Sequence, residues 1–207
     1  MVKETRTGVL IVGAGPSGLT LANVLALGGV PFRIVDAKAD IVQESRALVV
    51  HAKTLEILGK IGVAERAIAG GQRMGAARLL NEGRPSGEIA FMDDGAEERT
   101  PYPMVLIYEQ NRLERLLARN LEGAGSEVEW GTEMLSVSQT AEGVRCNLRG
   151  PDGTEESLEA RLVAGCDGAH SPVRHELGLG FGGETYEQTL FLADVEMEWA
   201  GGTTARP

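Results

Sequence analysis

The chain has 207 residues, 20 Lys and Arg against 30 Asp and Glu, a net charge of −10 at neutral pH and 43% hydrophobic residues. That length can bury a core without disulfide or metal staples, and the composition is ordinary globular usage that argues against disorder. The negative field disfavours nucleic acid as a partner. Two cysteines, Cys146 and Cys166, exclude a disulfide scaffold, offer no paired metal-ligand spacing and fit a reducing, cytoplasmic setting. The 28 glycines follow no Gly-X-Y period; used this way, glycine marks backbone that turns sharply or approaches something closely.

Val9-Leu10-Ile11-Val12 is an apolar run with β-branched content, the pattern of a strand buried on both faces of a parallel sheet. Gly13 to Gly18 reads as a turn. A mostly apolar helix follows through Leu19, Ala22, Val24, Leu25 and Ala26, stopping at Gly28-Gly29. Pro31 resets the chain, and Phe32-Arg33-Ile34-Val35 reads as a second strand. The whole is a βαβ unit of about thirty residues, with a right-handed crossover expected. No charge lies between Thr7 and Phe32, and Lys3 and Arg6 precede the stretch, so it superficially resembles a signal peptide or a membrane span. Six glycines and Pro16 within it, and the change from strand to helix rhythm, argue against both.

Residues 54–58 and 64–69 read as helical. Between 76 and 106, short β-prone pieces at 77–80, 88–91 and 104–108 alternate with turns rich in Gly, Pro and Asp, which predicts an excursion into a second sheet. Helical spacing returns over 111–121, with Leu113, Leu116, Leu117 and Leu121 on one face. Residues 127–130, 134–137, 143–148 and 157–159 read as strands, the last two joined as a hairpin by Pro151-Asp152-Gly153. Leu162-Val163-Ala164 is another apolar strand leading into Gly165-Cys166-Asp167-Gly168, and 191–199 is a final strand candidate.

Gly13-Ala14-Gly15-Pro16-Ser17-Gly18 sits between a predicted strand and a predicted helix. In that context Gly13 permits the tight turn, Gly15 lets backbone approach a pyrophosphate, and Gly18 lets helix pack on strand. The helix start offers free N–H groups and a positive dipole end to phosphates. Asp36, eighteen residues past Gly18 at the end of the second strand, is placed to accept hydrogen bonds from a ribose diol. These features point to dinucleotide binding without choosing between NAD and FAD. No metal-ligand spacing links His51, His170 and His175. Ser171 beside His170 makes no triad, Ser17 is in no nucleophile elbow, and the charge of Asp167 disfavours a thiolate at Cys166.

The run Gly165-Cys166-Asp167-Gly168-Ala169-His170-Ser171-Pro172-Val173-Arg174, taken with Val12 to Leu19 and Asp36, resembles the FAD-dependent class A aromatic hydroxylases, the group that includes para-hydroxybenzoate and phenol hydroxylases. The resemblance runs over essentially the whole chain, with polyketide and phenol hydroxylases the nearest branch. It implies an α/β, Rossmann-like FAD-binding domain with a parallel sheet. It also implies an enzyme that reduces FAD with NADPH or NADH and reacts the flavin with O2. The resulting C4a-hydroperoxide then passes an oxygen to an aromatic or polyketide substrate. Gly13, Gly15, Pro16, Ser17 and Gly18 would hold phosphate, Asp36 and the adjoining Ala37 the adenosine ribose, and Met134 or Leu135 would lend backbone to the adenine. Arg46, Gln110 and Asp167 would lie on the flavin side. No acid–base catalyst is implied, because the cofactor carries the chemistry.

On residue grounds alone other readings stay open. Asp36 and Asp167 are also turn formers, Arg46 is also a solvated surface arginine, and Gln110 also opens a helix. An NAD-dependent dehydrogenase or reductase, a non-catalytic nucleotide-binding remnant, and flavin halogenases or epoxidases share parts of the pattern. The family's third motif, a Gly-Asp run followed by Ala and His, has no counterpart, since the sequence holds no Gly-Asp dipeptide. The expected organisation is therefore the N-terminal part of a hydroxylase: a fragment, a truncated gene or one piece of a split protein. Residues 1–75 and 107–180 would form the FAD-binding portion. Residues 76–106 would be the β excursion, and 181–207 the start of an incomplete substrate domain, with a missing C-terminal half or self-association covering exposed edges.

Overall fold

A computed structural model describes residues 3–43, 48–91 and 95–183. In chain order the first elements are β1 (Lys3–Val12), α1 (Pro16–Leu27), β2 (Phe32–Asp36), β3 (Val49–Val50), α2 (Ala52–Lys60), α3 (Ala64–Gly70) and β4 (Gln72–Met74). Next come β5 (Ala76–Asn81), β6 (Arg84–Ala90), α4 (Ala96–Arg99), β7 (Val105–Ile107) and α5 (Gln110–Gly123). The series ends with β8 (Glu129–Trp130), β9 (Glu133–Gln139), β10 (Val144–Arg149), β11 (Glu155–Gly165) and α6 (Pro172–Glu176). The main sheet has six strands in the order β8-β2-β1-β11-β10-β9. Its β8, β2, β1 and β11 run parallel, and β10 and β9 add an antiparallel end. The α/β class with a mostly parallel sheet is as expected.

The alternation along β1 sorts the core onto two faces. Ile11 faces the helices and is fully buried with Leu19 of α1, Leu55 and Leu58 of α2, and Leu117 and Leu121 of α5. Leu10 and Val12 point the other way, into a cluster with Val35, Met134, Cys146, Leu148, Leu158 and Val173. Each fully buried leucine contributes about 1.5–3 kcal/mol of transfer energy. A polar bridge ties α1 to α5: buried Asn23 donates to the Leu19 and Leu117 carbonyls at 2.8 and 3.0 Å and accepts from Asn120 at 2.9 Å. Across the sheet, Arg33 of β2 forms a two-pronged pair with Glu129 of β8, both contacts 2.6 Å, and also reaches Glu156 of β11.

Several elements differ from the pattern-based expectation. The strand predicted at Val9 begins at Lys3, because residues 3–7 pair in parallel with 156–160 despite their charges. The runs at 157–159 and 162–164 are one strand, β11, held together by continuous pairing to β1. Helix α1 starts at Pro16, inside the stretch read as a turn; proline suits the first helical position, where no N–H is needed. The β-prone pieces of 76–106 do not form one sheet. β5 and β6 pair only with each other, while β7 lies between β3 and β4 in a separate three-stranded sheet. Arg46 and the strand candidate at 191–199 lie outside the described residues.

Candidate active-site cleft

Strands β1, β2 and β11 end side by side at one edge of the parallel sheet, where ligands of open α/β folds bind. The loop after β1 is sewn to both neighbours: Gly13 N donates to Val35 O at 2.8 Å, and Cys166 N donates to Val12 O at 2.6 Å. Gly13 has φ +103°, and a Cβ there would stand 2.3 Å from the Cys166 carbonyl oxygen. A Cβ on Gly18 would stand 1.9 Å from the Gly13 oxygen, so this glycine lets α1 sit against the loop. Gly15 differs: a Cβ there would meet nothing within 4 Å. It caps α1, accepting from Leu19 N at 2.9 Å, and the first turn leaves the Ser17 and Gly18 amides without intrahelical partners.

A cleft of about 640 Å³ opens at this edge, within the size range of cofactor sites. Gly13, Gly15, Pro16, Ser17, Asp36, Ala37, Gln110, Met134 and Asp167 all line it. Gly18 lies buried behind the loop. The Met134 side chain belongs to the core, as a strand residue at that position should. Sequence reasoning did not single out Lys38, Glu114, Thr132 or Glu133, which also line the cleft. The signals were there for two of them: Lys38 follows Asp36 by two residues, and Glu114 follows Gln110 by one helical turn.

The acids are anchored before any ligand is considered. Asp36 is 7% exposed, and its two carboxylate oxygens accept from Ala14 N at 2.7 Å and Lys38 N at 2.9 Å. The Lys38 ammonium lies 3.6 Å from Oδ2. A carboxylate has about four acceptor positions, so acceptor capacity remains for a sugar diol. Asp167 accepts from Ser171 Oγ at 2.6 Å and Val173 N at 3.0 Å, and Ser171 Oγ accepts from Arg174 N at 3.0 Å. The second motif is thus a capping network for α6. Burial, and after it the charge of Asp167, pushes the Cys166 thiol up, as expected for an unreactive cysteine. The charged lining groups are Asp36, Glu114, Glu133 and Asp167 against Lys38. Among the described lining residues acids thus outnumber cations, and the start of α1 offers backbone N–H groups and its positive dipole end. No cluster of three or more His, Cys, Asp or Glu among the described residues suits a metal ion, and no helix among them is long and apolar enough to cross a membrane.

This arrangement defines a dinucleotide-binding α/β domain. The model of the FAD binding domain family matches residues 6–203, and the chain belongs to that family. It is 38% identical over 192 residues to pentachlorophenol 4-monooxygenase of Sphingobium chlorophenolicum, covering 92% of this chain and 35% of that protein. It is 36% identical to 6-methylpretetramide 4-monooxygenase of Streptomyces rimosus, covering 92% and 33%. The flavin-dependent monooxygenase PieE, solved with FAD and substrate, superposes with a TM-score of 0.81 at 28% identity, over 88% of this chain and 34% of that one. The chain thus spans about a third of the length of the curated relatives it matches. The choice that the βαβ unit left open falls to FAD, and the resemblance to FAD-dependent aromatic hydroxylases stands.

Proposed function

We propose that the chain forms the FAD-holding part of a cytoplasmic monooxygenase that hydroxylates an aromatic or polyketide substrate with NADPH or NADH and O2. The carrying observation is the pairing of Gly15, open to the cleft, with Asp36 one strand away. The fit to FAD rests on this geometry: a bare loop and helix start for the diphosphate, and spare acceptor capacity on Asp36 for the ribose. Gly13 and Gly18 shape the loop, and Gly15, Pro16 and Ser17 at the start of α1 face the phosphates, with the Ser17 amide as a donor. Ala37 and the Met134 backbone flank the adenosine, with Leu135 beside them. Gln110, Asp167 and Arg46 belong to the flavin side.

When bound, FAD supplies the redox chemistry and the activation of O2. The protein's own groups bind and orient it and exclude water from the cleft. Free Cys146 and Cys166 are compatible with a reducing compartment. The exposed Leu79, Leu80 and Ile89 of β5 and β6 support assigning 76–106 to the substrate side, continued by 181–207.

The test is titration of the purified chain with FAD, followed by flavin fluorescence and visible absorption, with NADPH and NADH oxidation assayed alongside. Saturable binding that Asp36→Ala weakens by roughly tenfold or more supports the reading. Absence of FAD binding, or binding indifferent to Asp36→Ala, overturns it.

A further inference from the structure

The cleft holds a hydroxyl that the reading above leaves without a task. Thr132 lies between β8 and β9, is 7% exposed and lines the cleft. Its hydroxyl makes no hydrogen bond among the described residues. Nor is it sealed in the core: among those residues, the fully enclosed side-chain atom that lacks a partner is Asn111 Oδ1. A hydroxyl this deep in the protein is unfavourable unless something meets it, and the open side of Thr132 is the cleft. The main chain here is fixed to the end of β2. Thr132 N donates to Asp36 O at 2.9 Å, and Gly131 N donates to Lys38 O at 2.8 Å.

We propose that the Thr132 hydroxyl is a hydrogen-bonding contact for the adenosine end of FAD, working beside Asp36. Its loop is tied to residues 36 and 38 and leads within two residues to Met134, so it belongs to the adenosine side of the cleft. The two side chains divide the chemistry. The Asp36 carboxylate only accepts, whereas adenine ring nitrogens and the ribose ring oxygen need a donor, and a hydroxyl supplies one. Threonine also suits the position because its β-branch restricts χ1. Little side-chain freedom is then lost when the ligand arrives.

The inference rests on FAD occupying the cleft. The experiment compares wild type, Thr132→Val and Thr132→Ser in FAD affinity, in the visible spectrum of the bound flavin and in urea unfolding of the ligand-free chain. Valine keeps the branched shape and removes the hydroxyl. FAD affinity should fall roughly three- to tenfold, the worth of one hydrogen bond. The flavin spectrum should stay as in wild type, because the contact is at the far end of the cofactor. The ligand-free valine variant should be as stable as wild type or more so, since the hydroxyl it loses has no partner in the protein. Weaker binding without weaker folding is a pairing that a merely structural threonine would not produce. Thr132→Ser, which keeps the hydroxyl, should bind FAD more tightly than Thr132→Val.

Unchanged affinity in Thr132→Val, a loss matched by lower ligand-free stability, or an altered flavin spectrum overturns the role while leaving FAD binding intact. Failure of the wild type to bind FAD overturns the reading beneath it. If Thr132→Val does not fold, Thr132→Ser and Thr132→Ala provide the check, because they differ by the hydroxyl alone. Tighter FAD binding by the serine variant, roughly three- to tenfold, supports the contact, and equal affinities refute it.

Discussion

At Gly13 an added methyl group would stand 2.3 Å from the Cys166 carbonyl oxygen, whereas at Gly15 it would meet nothing within 4 Å. The same substitution should therefore read out differently at two sites a residue apart. Gly13→Ala is expected to lower stability by about 2–4 kcal/mol in urea unfolding, since it adds a backbone clash to a positive φ. Gly15→Ala should cost less than about 1 kcal/mol and instead weaken FAD binding. Equal stability losses at both positions would refute this division of labour. The turn role of Gly13 and the packing role of Gly18 were legible in the sequence, because only glycine accepts that positive φ or backbone contacts that close. Glu114 was not, because an acid on a helix looks like an ordinary solvated charge until the fold buries it, and Lys38 was not, because a lysine after a strand that stays exposed beside Asp36 carries no local mark of the cleft.

Among the elements, α6 shows how much of the second motif is structural. Its Asp167 carboxylate bonds Ser171 and Val173, and the Ser171 hydroxyl caps the helix at Arg174 N. Asp167→Ala should destabilise the chain by about 1–3 kcal/mol, and Ser171→Ala by about 1 kcal/mol, both read by thermal or urea unfolding. A stable Asp167→Ala that loses only FAD binding would assign the residue to the ligand alone. The turn-forming reading of Asp167 was available from its position after a strand. The capping network was not, because 172–176 is too short for a helical period to show. Element boundaries slipped for a related reason: charged residues in β1 and β11 hide strands whose pairing is set by the neighbouring chain and not by local pattern.

At the scale of the whole molecule, the buried thiol of Cys146 gives a pH signature. Burial raises it from its ordinary 9.0 to about 11. Between those values the unfolded chain has shed a proton that the folded chain keeps, so stability is complete below about pH 9 and falls as pH rises toward 11. The slope from this group is at most about 1.4 kcal/mol per pH unit. Cys146→Val should flatten the alkaline limb of a urea-midpoint against pH curve; an unchanged limb would assign the loss to other groups. The α/β class, the mostly parallel sheet and the sharp turn after β1 followed from the sequence because hydrophobic period and glycine spacing are local. The separation of β5 and β6 from the sheets did not, because pairing partners are chosen at a distance.

That hairpin has a further consequence. Every residue of β6 is exposed, and the two ends of the arm meet where Phe91 N donates to Gly75 O at 2.9 Å. A segment that leaves and returns through one narrow neck behaves as a cassette. Trimming it to a short linker should leave the strand ends that shape the crevice in place, since β5 and β6 pair only with each other.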